Sequence, residues 1–264
     1  MREGVDSKKM KIITLNTWGG RAGAKNLLSF FDAHKDSVDV FCLQEIWSAE
    51  YPQNEGRPAG SIPIKLSDIQ TRGLQEITAV LSNHVPYFRP HYGDNYGLLM
   101  LVRKDIKVLD EGELFVHKHK GYAPTENAGL HARNIQYITL KEGGETLTVI
   151  NFHGLWNGKG KTDSEDRLIQ SKNILAFTKT LKNEFILCGD FNLLPDTKSL
   201  SMFEEDGLRN LIKEHGITST RTSFYPHPVR YADYVFTTKN LAVKEFRVLP
   251  EEVSDHSAIL IEVK

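Results

Sequence analysis

Apolar runs that stop abruptly on a polar residue punctuate this chain. Residues 10–16, MKIITLN, form a short β-rich run closing on Asn16. Residues 38–45, VDVFCLQE, are almost continuously apolar and close on Glu45, the pattern of a strand buried on both faces. Strands are also expected over 86–92, 97–103 and 106–116. Residues 130–140 alternate into the turn EGGE, and 146–153, TLTVINFH, follow as a hairpin partner. Further strands are expected over 184–189, 231–237, 241–248 and 257–263.

Between these runs the period changes. Leu27, Leu28 and Phe31 fall at helical spacing within 23–34, and helices are also expected over 69–83, 163–182 and 199–214. The 163–182 helix has the clearest signature, with Asp163 as N-cap, Asp166 three residues on, and Leu168, Ile169, Leu175 and Leu181 as apolar positions. Residues 48–68 hold three prolines and two glycines without periodicity and read as a long loop, a feature that in compact domains tends to be functional. No repeat, low-complexity segment or Ser/Pro linker interrupts the interleaving. Residues 10–264 therefore read as a single α/β domain, and 1–9 as a tail or remnant outside it. Ten or so strands are too many for one comfortable sheet. The expected fold is a four-layer α/β sandwich, two mixed β-sheets packed face to face with helices outside.

The chemistry lies where the apolar runs end. Asn16, Glu45, His153 and the Asp190–Asn192 pair each close a strand, and Asp255 and His256 open the last one. Each has an ordinary explanation as a turn former, a strand cap or a core histidine. A buried carboxylate or imidazole is costly unless it is paired, hydrogen-bonded or metal-bound. So many at strand ends imply a shared polar floor at one end of the sheets, where catalytic groups on a rigid scaffold commonly sit.

Composition narrows the task. The formal net charge of −1 across 264 residues argues against generic duplex DNA binding, which usually needs a basic surplus. Cys42 and Cys188 lie in apolar runs and read as small core residues, so no disulfide scaffold is expected and a reducing, cytoplasmic setting fits. The polar N-terminus lacks a secretory apolar stretch, and no run approaches the ~20 residues of a membrane span. A monomer with no stable membrane association is expected.

The motifs LNTW, LQE, NFHG, GDFN, ADYVF and SDHSA occur in that order between residues 15 and 258. Together they resemble the signature of the endonuclease/exonuclease/phosphatase superfamily, which includes DNase I-like nucleases, apurinic endonucleases, neutral sphingomyelinases, inositol polyphosphate phosphatases and deadenylases. The resemblance implies a DNase I-like sandwich and hydrolysis of a phosphate ester, with Mg²⁺ as cofactor and Mn²⁺ as a substitute.

Roles follow residue by residue. Glu45 is the main expected metal ligand, with Asp255 and the amide oxygen of Asn16 near the same ion. Asp190 resembles the family residue that orients and deprotonates the attacking water. Asn192, two residues on, would point the same way in an extended chain and hold Asp190 or the phosphate. Asp233 matches the partner carboxylate that fixes the tautomer of His256. Arg133 resembles a phosphate clamp, the alternative being a surface strand arginine. Asn16 and Asn192 are further substrate contacts. His153 serves as general acid or phosphate ligand and points to the DNase I/sphingomyelinase-like branch, since apurinic endonucleases lack it. Position 18 is Trp, not the acid of that other branch, and is read as a core residue or as a flank of the pocket. No glutamate suited to pair with His153 is evident.

The substrate is left to the loops 48–68, 117–130, 154–163 and 221–230, which mix basic and aromatic residues. A nuclease-type phosphodiesterase acting on nucleic acid leads. A phosphomonoesterase for a small metabolite, inositol phosphate or lipid headgroup is the alternative, and a silent binding scaffold is third.

Overall fold

The computed structural model describes residues 9–59, 62–122, 124–142 and 144–264. Strand β1 (Met10–Asn16) leads through helix α1 (Ala24–His34) to β2 (Val40–Trp47). A two-residue hairpin, β3 (Pro58–Ala59) and β4 (Ile62–Pro63), and helix α2 (Gly73–Val80) precede β5 (His84–Tyr92), β6 (Tyr96–Arg103) and β7 (Lys107–His117). Strands β8 (Arg133–Glu142) and β9 (Glu145–His153) are followed by helix α3 (Glu165–Thr178) and β10 (Glu184–Asp190). Helix α4 (Lys198–Glu205), β11 (Arg209–Asn210) and helix α5 (Leu211–Glu214) lead to β12 (Asp233–Thr237), β13 (Val243–Val248) and β14 (Ile259–Val263).

The strands form two six-stranded sheets, ordered β13-β14-β1-β2-β6-β5 and β11-β12-β10-β9-β8-β7. Each is mixed, with one central parallel pair, β1 with β2 and β9 with β10, among antiparallel neighbours. Parallel neighbours need a crossover, and α1 and α3 supply it. The expected two-sheet sandwich is what forms.

Strand alternation explains the layers. Ile12, Val40 and Cys42 join the core between the sheets, while Ile13, Leu15, Phe41 and Leu43 face outward and pack with Leu27, Phe30 and Phe31 of α1. Phe31 is fully buried there, a burial worth ~1.5–3 kcal/mol. This two-sided burial is why β2 reads as a continuous apolar run. Cys42 and Cys188 are buried and free, as expected, and burial raises the Cys42 thiol, with Cys188 as its hydrogen-bonding neighbour from the other sheet.

A buried polar contact crosses the centre of this core. Gln44 Nε2 donates to Asn151 Oδ1 at 2.6 Å, and Asn151 Nδ2 donates to the Leu43 carbonyl at 3.0 Å. It ties β2 to β9 directly beneath the strand ends that carry the site.

Several expected boundaries shift. The helix expected at 163–182 spans Glu165–Thr178 and is capped by Ser164, whose side chain accepts the Arg167 N–H. Asp163 instead accepts the Lys198 and Ser199 N–H groups at 2.7 and 2.9 Å, so it caps α4 across space. The helix expected at 199–214 breaks after Glu205, because Gly207 turns at a φ of 93° and Arg209–Asn210 pair with β12. The helix expected at 69–83 shortens to Gly73–Val80. The 48–68 loop contains short 3-10 turns and the β3–β4 hairpin, with residues 60 and 61 outside the described residues. Residues 1–8 of the expected tail, and residue 143 in the EGGE turn, also lie outside them. No helix among the described residues is long and apolar enough to cross a membrane.

Candidate active site

Three strands of the second sheet end side by side. In the register of β9, β10 and β12, His153 pairs with Asp190 and Asp190 with Asp233. One row therefore carries an imidazole and two carboxylates. The first sheet brings Asn16 to the same place, opposite Gln44 in register and one residue from Glu45. His256, just before β14, arrives by a bridge to Arg221.

The glycines of two motifs make this convergence possible. A Cβ on Gly189 would lie 2.0 Å from the Phe152 carbonyl oxygen, and one on Gly154 would lie 2.3 Å from that of Phe191. The ends of β9 and β10 interlock too closely for any side chain at either position.

Backbone strain concentrates here too. Four non-glycine residues among those described have left-handed φ: Trp18 (52°), Glu45 (60°), Lys118 (57°) and Asn192 (55°). Three of them, Trp18, Glu45 and Asn192, line one pocket of about 710 Å³. Such conformations cost on the order of 1–3 kcal/mol and cluster at functional sites. Glu45 occupies a bulge, where the β2–β6 register slips between Leu43 and Ile46. The extra residue re-aims the carboxylate into the pocket.

Asp190 is held on both oxygens. Asn16 Nδ2 donates to Oδ2 at 2.9 Å, and the Asn192 N–H donates to Oδ1 at 2.8 Å. Asn16 Nδ2 also reaches Glu45 Oε1 at 3.2 Å, while Asn16 Oδ1 accepts the Trp18 N–H at 2.9 Å. Asn192 holds Asp190 through its main chain because its left-handed turn breaks the extended geometry expected from the spacing. Its side chain turns to the Gly154 carbonyl, 3.4 Å away.

Two imidazoles flank Asp190 Oδ2, with His256 Nε2 at 3.6 Å and His153 Nε2 at 3.7 Å. The Nδ1 of His256 donates to Asp233, 2.8 and 2.9 Å from its two oxygens. Burial pushes Asp233 up to about 6 and His256 down to about 4, so each group resists charging alone. His153 has no carboxylate behind it, and its Nδ1 is buried without a partner. Burial, then Arg133, hold it well below the usual histidine range.

Arg133 is no surface arginine. Only 2% of it is exposed, and Nε and Nη1 have no hydrogen-bond partner. Nη2 reaches the Gly129 carbonyl at 3.5 Å, and the side chain lines the pocket. Asp255 receives Arg221 Nη1 on Oδ2 at 2.6 Å and leaves Oδ1 buried without a hydrogen-bond donor. Trp18 lines the pocket and does not enter the core.

A model of the Endonuclease/Exonuclease/phosphatase family matches residues 13–256. The chain belongs to this family. No curated protein matches its sequence. Among solved structures it is similar to the mannosyl-6-phosphatase of Bacteroides thetaiotaomicron (16% identity, TM-score 0.71, 97% of this chain and 99% of the other). A family protein from Leptotrichia buccalis is similar at 20% identity and a TM-score of 0.70, with the same coverage of 97% and 99%. So is D. rerio TDP2 complexed with a single-strand DNA product, at 18% identity and a TM-score of 0.68, again covering 97% and 99%. These likenesses establish the DNase I-like sandwich, and the family makes the chain a phosphoric ester hydrolase.

Members of the family generally depend on a divalent metal, and the donors here fit one. Burial raises the carboxyls of Glu45 and Asp255, and repulsion from Asp190, joined at Asp255 by Glu45, adds to it. A cation would relieve this, and Asp255 Oδ1, which accepts no hydrogen bond and lies 3.7 Å from His256 Nε2, offers it an oxygen. Asp190, Asp233 and His256 also bring ligand atoms within 4.8 Å of one another. Asp233, however, faces His256 Nδ1 with both oxygens, the geometry of an orienting pair and not of a ligand shell.

The sequence reading missed several residues at this site. Arg21, Tyr96, His131, Lys161 and Arg221 all line the pocket. Lys161 and Arg221 belong to the mixed basic and aromatic loops 154–163 and 221–230. Conversely, none of Lys118, His119 and Lys120 lines it.

Proposed function

We propose that this family member hydrolyses a phosphodiester by in-line attack of water. Asp190 takes the proton from the water as its oxygen bonds to phosphorus and the bond to the leaving oxygen breaks. Asn16 and Asn192 hold both carboxylate oxygens, so Asp190 meets the water in one orientation. Arg133 and the His153 imidazole donate to phosphate oxygens as charge develops. Neutral His256 receives at Nε2, 3.6 Å from Asp190 Oδ2, the proton that Asp190 takes from the water, and only then donates from that nitrogen. Asp233 keeps the His256 proton on Nδ1 at rest and stabilises the imidazolium when it forms. Glu45 and Asp255, with Asn16 beside them, would hold Mg²⁺ or its substitute Mn²⁺, which when bound supplies Lewis-acid neutralisation of the phosphate. The enzyme is proposed to work as a cytoplasmic monomer, with nucleic acid among its candidate substrates. The TDP2 neighbour, which holds a DNA product, supports that candidate.

The observation that carries this reading is the two-sided grip on Asp190 between two imidazoles. Turnover of bis-p-nitrophenyl phosphate with Mg²⁺, abolished in a folded Asp190→Asn variant, is the expected result. Near-native turnover by that variant would overturn the assignment.

A phosphomonoesterase is the second reading. Five cationic side chains, Arg21, Lys65, Arg133, Lys161 and Arg221, line the pocket, which suits the extra charge of a terminal phosphate. The mannosyl-6-phosphatase neighbour supports it. Faster hydrolysis of p-nitrophenyl phosphate than of the diester would favour it.

A further inference from the structure

The pocket wall beyond Arg133 is built from rings. His131 stacks on His91, with centroids 4.9 Å apart and planes 20° apart. Tyr92 lies beside it at 5.2 Å, and Tyr96 meets it edge-on at 5.5 Å. His131 follows the 3-10 turn Ala128–Leu130 in extended conformation, with φ −61° and ψ 166°. Residues two apart in extended chain share a face, so His131 and Arg133 look into the same space, and both line the pocket. A phosphate on Arg133 has His131 for its neighbour.

The chemistry of that neighbour is fixed by one contact. His131 Nδ1 lies 2.7 Å from the Ala132 carbonyl oxygen. A carbonyl only accepts, so Nδ1 carries the hydrogen. Burial, then the positive charge of Arg133, hold the ring well below its ordinary pKa and keep it neutral. Its Nε2 is therefore a lone pair, and no described residue donates to it. His91 is fixed in the same sense. Its Nδ1 lies 2.8 Å from Asn134 Oδ1, and the amide nitrogen of Asn134 donates to Glu113, which leaves that oxygen to accept.

An acceptor beside a guanidinium selects among ligand groups. A second phosphate brings only acceptors of its own. An ammonium is repelled by Arg133. A flat base stacked on the ring would leave the in-plane lone pair of Nε2 unused, and His91 already takes one of the two faces of His131. A neutral hydroxyl fits, because it donates, carries no charge and approaches a ring edge.

We propose that His131 is a specificity residue whose Nε2 accepts a hydrogen bond from a hydroxyl of the esterified alcohol, so that the enzyme selects phosphate esters of polyhydroxylated alcohols. This rests on the phosphoester hydrolysis proposed above. The alcohol lies along the wall of His131, Tyr92 and Tyr96, while its phosphate is held by Arg133.

Glycerol 3-phosphate and propyl phosphate differ only in hydroxyls and test this directly. Two readouts apply to the full chain with Mg²⁺: the ratio of kcat/KM for the two esters, and the ratio of their affinities by titration calorimetry, which needs no turnover. The glycerol ester should be preferred about tenfold, the contribution of one hydrogen bond to an otherwise unpaired acceptor. The preference should collapse towards one in His131→Phe, which keeps the ring packing, and survive in part in His131→Gln, which keeps an acceptor. Because each ratio is taken within one enzyme, general losses divide out. No preference in the wild type, or a preference untouched by His131→Phe, overturns the inference even if p-nitrophenyl esters are hydrolysed. If neither these monoesters nor bis-p-nitrophenyl phosphate is hydrolysed, the catalytic reading falls, and calorimetry still decides the role of His131.

Discussion

The imidazole of His256 is suspended from the carboxylate of Asp233, 2.8 Å from Nδ1 to Oδ1, with its other nitrogen turned towards Asp190. The pair joins the segment before β14 to the first residue of β12, so this contact spans the two sheets. In Asp233→Asn the amide cannot stabilise an imidazolium. We expect kcat to fall about a hundredfold or more, with the melting temperature little changed. Steady-state kinetics checks this, and an unaltered kcat would remove Asp233 from the mechanism.

Glu45 projects from a bulge and lines the pocket beside Asn16 and Asp190. Replacement by Gln keeps the shape and the contact to Asn16 but removes the charge. The Mg²⁺ concentration for half-maximal activity should then rise by about tenfold or more. Metal titration of wild type and Glu45→Gln measures it, and equal midpoints would count against Glu45 as ligand.

Gly189→Ala tests the fold beneath the site. Its Cβ would sit 2.0 Å from a main-chain oxygen at a φ of +136°. Neither strand end can yield without moving Asp190 or His153. We expect a loss of ~3 kcal/mol or more, read by urea unfolding, and a stability near wild type would contradict the interlocked geometry.

The buried histidines set an acid limit. Burial lowers His91 to about 3 and His117 to about 4, and His84, His131 and His153 shift the same way. A folded-state pKa below the unfolded value near 6.5 gives stability that is complete above that value. It is lost as pH falls from about 6.5 through about 4 for His117 and about 3 for His91. Asp233, raised to about 6, and the raised carboxyls of Glu45 and Asp255 act in the opposite sense as pH rises through their own ranges. With six histidines, His256 included, shifted down, the melting temperature should drop between pH 7 and pH 5. His91→Phe should make that drop shallower. A melting temperature that is flat with pH, or rises on acidification, would show that these rings are not held neutral.

The polar strand ends were legible because burial makes such residues expensive, and the cost is visible wherever an apolar run closes on Glu45, His153 or Asp190. Strand register then does the rest, setting His153, Asp190 and Asp233 in a row. The order of strands in each sheet was not legible, because it depends on pairings far apart in the chain. The bulge that turns Glu45 inward left no mark beyond the acid itself. Arg221 and Lys161 come from loops, where no period reveals direction, and Lys161 is anchored by donating to the Tyr231 carbonyl at 2.7 Å. His131 was hidden differently: one residue after a 3-10 turn and two before Arg133, it looked like one more polar residue at the start of an alternating strand. Asp163 shows the limit of local reading, since a helix-capping residue served a helix 35 residues away.

The Gln44–Asn151 contact gives the interior one further property. Greasy layers resist separation well but lateral slip poorly, since sliding one sheet over the other exchanges similar apolar contacts. Asn16 and Glu45 ride on one sheet, while Asp190 and Asp233 ride on the other. A polar pin of 2.6 Å between β2 and β9 fixes the lateral register in which those halves meet. Catalytic alignment here is thus a matter of shear stiffness as well as of the side chains at the mouth, and the residue that guards it lies in the dry interior, one position before Glu45.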